Sequence, residues 1–117
     1  MIYQILFCCI NVGDSRCVLG KYNKENNDWS YINLTRDHKP KEEDEKERIL
    51  KKGGKISKDK DEFGNYLGVT RIWQKEEGNI GLALTRSFGD EILSKVGVIC
   101  EPEIKEFKLG NCSLKIR

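Results

Sequence analysis

The sequence predicts an α+β chain with a largely antiparallel sheet. Strand-length apolar or alternating runs recur along it, separated by Gly, Asn, Asp and Pro turn signals. Only residues 41–52 carry a clear helical charge order closed by a Gly-Gly stop. There is no internal repeat or low-complexity tract, and strands on both sides of one helix argue for α+β.

Tyr3 to Val12 is a nearly continuous apolar run, the pattern of a strand buried on both faces. Gly13-Asp14-Ser15 then turns the chain, and Arg16 to Lys21 reads as the returning strand of a hairpin. Asn23 to Asp28 is a polar loop. Trp29 to Leu34 alternates sufficiently to form a third strand. Pro40 stands where its missing N–H suits the first turn of a helix, predicted over Lys41 to Lys52. Acidic residues occupy the early turns of that helix and basic residues the last, with Asp44–Arg48 and Glu47–Lys51 at i,i+4 spacing. Ile49 and Leu50 are its only strongly apolar residues, so its charge run reads as a solvated face.

Lys55 to Ser57 is a short strand, Lys58 to Asn65 a charged segment with a Gly64-Asn65 turn, and Tyr66 to Trp73 a longer strand. Ile80 to Leu84 is apolar, and Glu91 to Lys95 makes one helical turn. Val96 to Cys100 reads as a strand, Ile104 to Leu109 as an edge strand, and Cys112 to Arg117 as the start of a last one.

The 117 residues suffice for one small domain or part of a larger one. The 21 basic and 19 acidic residues are interleaved, which argues against a nucleic-acid surface built on clustered Lys and Arg. The apolar run at residues 5–10 is short, lacks a basic lead-in, and predicts neither a signal peptide nor a transmembrane helix. Cys8, Cys9, Cys17, Cys100 and Cys112 are odd in number and make no Cys-x-x-Cys pair; His38 is the only histidine. A zinc site needs converging N/S ligands at local spacing, so the thiols read as reduced, buried small hydrophobes. A cytoplasmic or nuclear location follows as an expectation.

Asp14 is the first candidate site residue. An aspartate on a turn at a strand end offers an oxygen to a hard cation, and equally is an ordinary turn residue. It belongs to a series of phrases in fixed order. These are Asn11-Val12-Gly13-Asp14-Ser15-Arg16, Leu34-Thr35-Arg36-Asp37-His38-Lys39-Pro40, and Glu47-Arg48-Ile49 followed by Gly53-Gly54. Leu82-Ala83-Leu84-Thr85-Arg86-Ser87-Phe88-Gly89-Asp90 and Glu101-Pro102-Glu103 complete it. In this order and spacing the chain resembles the middle of the metal-dependent protein phosphatases of the protein phosphatase 2C type, from about residue 5 to about residue 109.

The resemblance implies a β-sandwich of two antiparallel sheets flanked by helices, here an incomplete part of it. Residues 1–117 would be a partial catalytic domain, with 39–79 as the approximate flap region and the domain's N-terminal and C-terminal parts absent. It implies hydrolysis of phosphoserine and phosphothreonine in protein substrates by a metal-activated water at a binuclear Mg2+ or Mn2+ centre. Asp14 matches a ligand of a third, more weakly held metal. The family's Asp-Gly-His-Gly, Asp-Gly and Asp-Asn phrases, which supply the core ligands, do not occur, so no catalytic residue is assigned. Arg86 and Asp90 fall in a phrase that is either substrate-facing or a buried structural ion pair. His38 reads as a turn residue, not the general acid. The implied function is a serine/threonine phosphatase present as a fragment inactive alone. The alternatives are a non-catalytic phosphatase-like binding module and a truncated gene product.

Overall fold

The computed structural model describes residues 5–74 and 80–109. The described residues form two compact units. The first comprises the segments up to Asn11, Ser15–Asp37 and onward from Pro102; the second comprises Val12–Asp14 and His38–Glu101.

In the first unit, β1 (Ile5–Asn11) pairs antiparallel with β7 (Glu103–Leu109), and β2 (Val18–Asn23) pairs antiparallel with β3 (Asp28–Asn33). The expected hairpin between the apolar run and residues 16–21 does not form: β2 pairs with β3, and β1 with the distant β7. The stretch between them explains this. Residues 15–17 are taken up by the segment that follows β3. Leu34 N–H donates to the Cys17 carbonyl (2.8 Å), Cys17 N–H to Thr35 Oγ1 (2.8 Å), and Thr35 Oγ1 to the Ser15 carbonyl (3.1 Å). Arg16 grips Asp37 through two hydrogen bonds of 2.9 and 2.7 Å. Those contacts commit residues 15–17 to the segment after β3.

Nor is β1 buried on both faces. Cys9 and Asn11 are buried, whereas Leu6, Cys8 and Ile10 on the alternate face are exposed. Of the described cysteines, all free, Cys9 alone is buried; Cys8 and Cys100 are exposed and Cys17 is intermediate, which corrects the reading of the thiols as uniformly buried. Burial, then the Cys17 thiol as a hydrogen-bond partner, push the Cys9 thiol above its ordinary range.

The second unit holds α1 (Glu43–Lys51), a meander of β4 (Lys55–Lys60), β5 (Tyr66–Trp73) and β6 (Gly81–Leu82), and the four-residue α2 (Glu91–Ser94). Ile49 from α1, Ile72 from β5, Leu93 from α2, and Val96 and Val98 make the core, with Ile56 and Leu82 packed against it. Ile49 is the only core residue that α1 contributes; Ile72 of β5 and Leu93, Val96 and Val98 from α2 and the chain after it complete the cluster.

Three expectations need correction here. Pro40 does not open the helix; a turn closed by Glu42 N–H to the Lys39 carbonyl (3.0 Å) comes first, and Glu42 occupies the N-cap. Residues 96–100 make no strand but one parallel bridge, Arg86 to Ile99, because 95–97 are spent on the turn that tucks Val96 and Val98 into the core. β4 continues to Lys60, and the turn is drawn together by Asp61, whose carboxylate accepts from the backbone of Phe63 and Asn65. Cys112 to Arg117 lies outside the described residues.

Gly54 closes α1 where nothing larger fits. Its N–H donates to the Ile49 carbonyl (3.0 Å), and a Cβ there would stand 2.6 Å from Ile49 Cγ2 and 3.1 Å from the Val96 carbonyl oxygen. Both neighbours are core groups with little freedom to move. Gly54→Ala is therefore expected to lower unfolding stability by about 1–3 kcal/mol, the usual scale of overpacking, in urea denaturation. Unchanged stability would show that α1 shifts freely.

Candidate functional site

The Gly13-Asp14 corner is held from behind by His38. Gly13 N–H donates to His38 Nδ1 (3.1 Å), and His38 N–H donates back to the Gly13 carbonyl (3.0 Å). An accepting Nδ1 places the ring proton on Nε2. Gly13 adopts φ 101°, a conformation open to glycine at little cost, which lets the carbonyl and N–H face the same histidine. The His38 side chain is fully buried, and its carbonyl accepts from Thr85 N–H (2.9 Å). His38 thus ties the corner to the strand connection at Thr85, a structural role larger than that of a turn residue.

Asp14 projects from this corner with its carboxylate half-exposed, Oδ2 lying 3.2 Å from Lys39 Nζ. Both line a cavity of about 500 Å³, with Pro40, Lys41, Lys58 and Val69 among its other walls. Among the described residues, no three His, Cys, Asp or Glu side chains converge as a metal cluster would require.

Thr85 continues the network inward. Its hydroxyl donates to Glu45 Oε2, and Glu45 is fully buried. Arg48 clamps Glu45 with two bonds (Nη1–Oε1 3.0 Å, Nη2–Oε2 2.6 Å). Arg86 adds two more to Oε1 (Nε 3.0 Å, Nη2 2.6 Å). Three further hydrogen bonds go to backbone: Arg48 Nε to the Gly97 carbonyl, Arg48 Nη2 also to the Thr85 carbonyl, and Arg86 Nη1 to the Glu101 carbonyl, each 3.0 Å. Burial alone would raise the Glu45 pKa. The hydrogen bonds from Arg48, Arg86 and Thr85 outweigh it and hold the carboxyl well below its usual range.

The structure does not bring the three sequence candidates together. Arg86 is spent on Glu45 and Glu101. Asp90 stands apart at the start of α2, accepting from Ser87 Oγ (2.6 Å) and capping with its carbonyl the N–H groups of Leu93 and Ser94. Asp14 keeps to the corner. Glu45 was missed: its charge placed it on a solvated helix face, yet it is buried, and Arg48 turns to it at i,i+3 spacing. One signal was available. Glu45 precedes Ile49 by four residues and so shares the face of the helix's buried apolar residue. The outer pair Glu47–Lys51 does form, at 2.8 Å on the surface.

A family model described as Protein phosphatase 2C matches residues 3–112. The chain belongs to the protein phosphatase 2C family. It is 39% identical over 107 residues to a probable protein phosphatase 2C 12 of Oryza sativa subsp. japonica, matching 89% of this chain and 25% of that protein. It is 38% identical over 96 residues to a probable protein phosphatase 2C 73 of Arabidopsis thaliana, matching 82% of this chain and 24% of that one. This protein phosphatase 2C chain therefore spans about a quarter of the length of the curated relatives it matches. Its fold is similar to that of a serine-threonine phosphatase 2C from Toxoplasma gondii (TM-score 0.73, 24% identity, 91% of this chain and 34% of that one). A second Toxoplasma gondii phosphatase structure matches with TM-score 0.60 at 28% identity, over 90% of this chain and 28% of that one. The likeness shows an α+β fold corresponding to part of the phosphatase 2C domain, built mostly of antiparallel strands with few helices. No helix among the described residues is long and apolar enough to cross a membrane.

Proposed function

We propose that this chain is the flap-bearing central portion (flap 39–79) of a Mg2+- or Mn2+-dependent protein serine/threonine phosphatase acting on phosphoprotein substrates in the cytoplasm or nucleus. Asp14 is the carboxylate it contributes to the metal site. The observation that carries the reading is the Gly13-Asp14 corner, fixed from behind by His38 while the Asp14 carboxylate stays half-exposed at a cavity. The described cysteines, all free, agree with a reducing compartment.

A hard divalent cation takes about six oxygen ligands. The described residues furnish a single candidate carboxylate, already beside Lys39, and by themselves do not fit a binuclear centre. Catalysis therefore requires ligands from beyond them, and the 117-residue chain alone is expected to be inactive. Arg86 and Asp90 act in this reading as structural residues: each of the Arg86 guanidinium nitrogens donates to Glu45 or to the Glu101 carbonyl, which fixes the side chain within the protein.

The test is Mn2+-dependent release of phosphate from a phosphothreonine peptide. The 117-residue chain should release none, and a chain extended into the neighbouring coding sequence should be active. In the extended chain, Asp14→Asn should raise the Mn2+ concentration needed for half-maximal rate by about 10-fold or more, the scale on which losing one metal-site group acts. An inactive extended chain, or Asp14→Asn indistinguishable from wild type, would overturn the assignment.

A further inference from the structure

β4 and β5 slip out of register at one place. Ser57 faces Arg71 and Asp59 faces Leu67, so Lys58 alone stands opposite Gly68, Val69 and Thr70. Extra residues on one strand bend it and re-aim its side chains, a feature often found beside binding sites. Here the irregularity forms part of the wall of the cavity of about 500 Å³, within the range of small-ligand and peptide side-chain pockets. Lys58, Gly68, Val69 and Thr70 all line it.

Among the described residues the charge of the lining is one-sided: Lys39, Lys41 and Lys58 line it with one carboxylate, that of Asp14. Asp14 is matched by Lys39 at 3.2 Å. Lys41 has only a long, exposed contact of 3.8 Å with Glu42, which is worth little. Lys58 has no ion pair among the described residues. Pro40, Val69 and Ala83 give the same cavity an apolar component. Two available ammonium groups around an apolar patch suit a peptide carrying carboxylates beside an apolar residue. They do not suit nucleic acid, since the positive charge is confined to one small concavity in a chain of net charge +2.

We propose that this cavity is a specificity site for acidic peptide: Lys41 and Lys58 receive Asp or Glu side chains flanking the phosphorylated residue of a protein substrate. The source of the peptide rests on the phosphatase reading; the positively charged cavity does not.

Binding is read without turnover, by fluorescence anisotropy of a labelled phosphothreonine peptide with flanking Asp and Glu, mixed with the 117-residue chain. Its counterpart carries Asn and Gln instead. The acidic peptide should bind about 10-fold tighter, with the difference shrinking as salt rises and screens the charges. Lys58→Glu should abolish that preference and shift it toward a peptide with flanking Lys, whereas Lys24→Glu on the β2–β3 turn should leave it intact. The extended chain should show the same acidic preference in kcat/KM. Equal binding of the two peptides, no effect of Lys58→Glu, or complete displacement by millimolar inorganic phosphate would overturn the proposal. Failure of the phosphatase reading would appear separately, as an extended chain with no Mn2+-dependent hydrolysis.

Discussion

Glu45→Ala is expected to destabilise the chain by about 3–5 kcal/mol, the usual cost of removing one partner from a buried ion pair. The carboxylate has no exposure and receives five hydrogen bonds, from Arg48, Arg86 and Thr85. Its removal leaves two guanidinium groups, mostly buried, facing one another across an empty space. Chemical denaturation monitored by circular dichroism measures the loss. A change within about 1 kcal/mol, the range of exposed pairs, would mean that water reaches the cluster and that it is not part of the core.

The same residue sets an acid dependence. The folded-state pKa of Glu45 is depressed below the unfolded value of about 4.3. Its contribution is therefore complete above that unfolded value and is lost progressively as pH falls toward the folded pKa. Stability measured from pH 7 downward should fall below about pH 4 in the wild type. Glu45→Gln, less stable at neutral pH, should show a shallower fall over the same window. Parallel curves for the two proteins would assign the acid sensitivity to other carboxylates.

His38→Ala is expected to cost about 2–4 kcal/mol, combining the cavity left by a fully buried ring with an unsatisfied Gly13 N–H. Asparagine at this position can offer an amide oxygen near the place of Nδ1, so His38→Asn should recover part of the loss. The recovery matters more than the loss, and His38→Leu is its control: a merely space-filling imidazole would be replaced by Leu at least as well as by Asn. In the extended chain, His38→Ala should also raise the Mn2+ requirement, since the corner that orients Asp14 would lose its support. An unchanged requirement would detach the corner's rigidity from its proposed ligand role.

Most elements of the fold were legible because their signals are local. The apolar run that contains β1, the alternation in β3, the Gly-Gly stop after α1 and the Gly64-Asn65 turn each depend on residues adjacent in the chain. Strand partners were less accessible. The proximity of β1 and β2 suggested a hairpin, and only the contacts of Ser15, Arg16 and Cys17 with residues 34–37 show why the chain leads elsewhere. Charged residues were the hardest to place. On a helix, Glu45 and Glu47 look alike by composition, yet one is the centre of a buried cluster and the other an exposed partner of Lys51.

The order of its phrases pointed to the family, and strands on both sides of one helix to the α+β class, because chain order and local pattern are properties of sequence. Tertiary structure decided which residues hold the Gly13-Asp14 corner and what Arg86 does. His38 and Gly13 are 25 positions apart, and Arg86 and Glu45 are 41 apart. A carboxylate is stable in the interior only where donors converge on it from several elements, and that convergence is a property of the folded chain. Asp14 and Glu45 are both acidic residues in polar surroundings by sequence; folding leaves one half-exposed in a cavity wall and encloses the other.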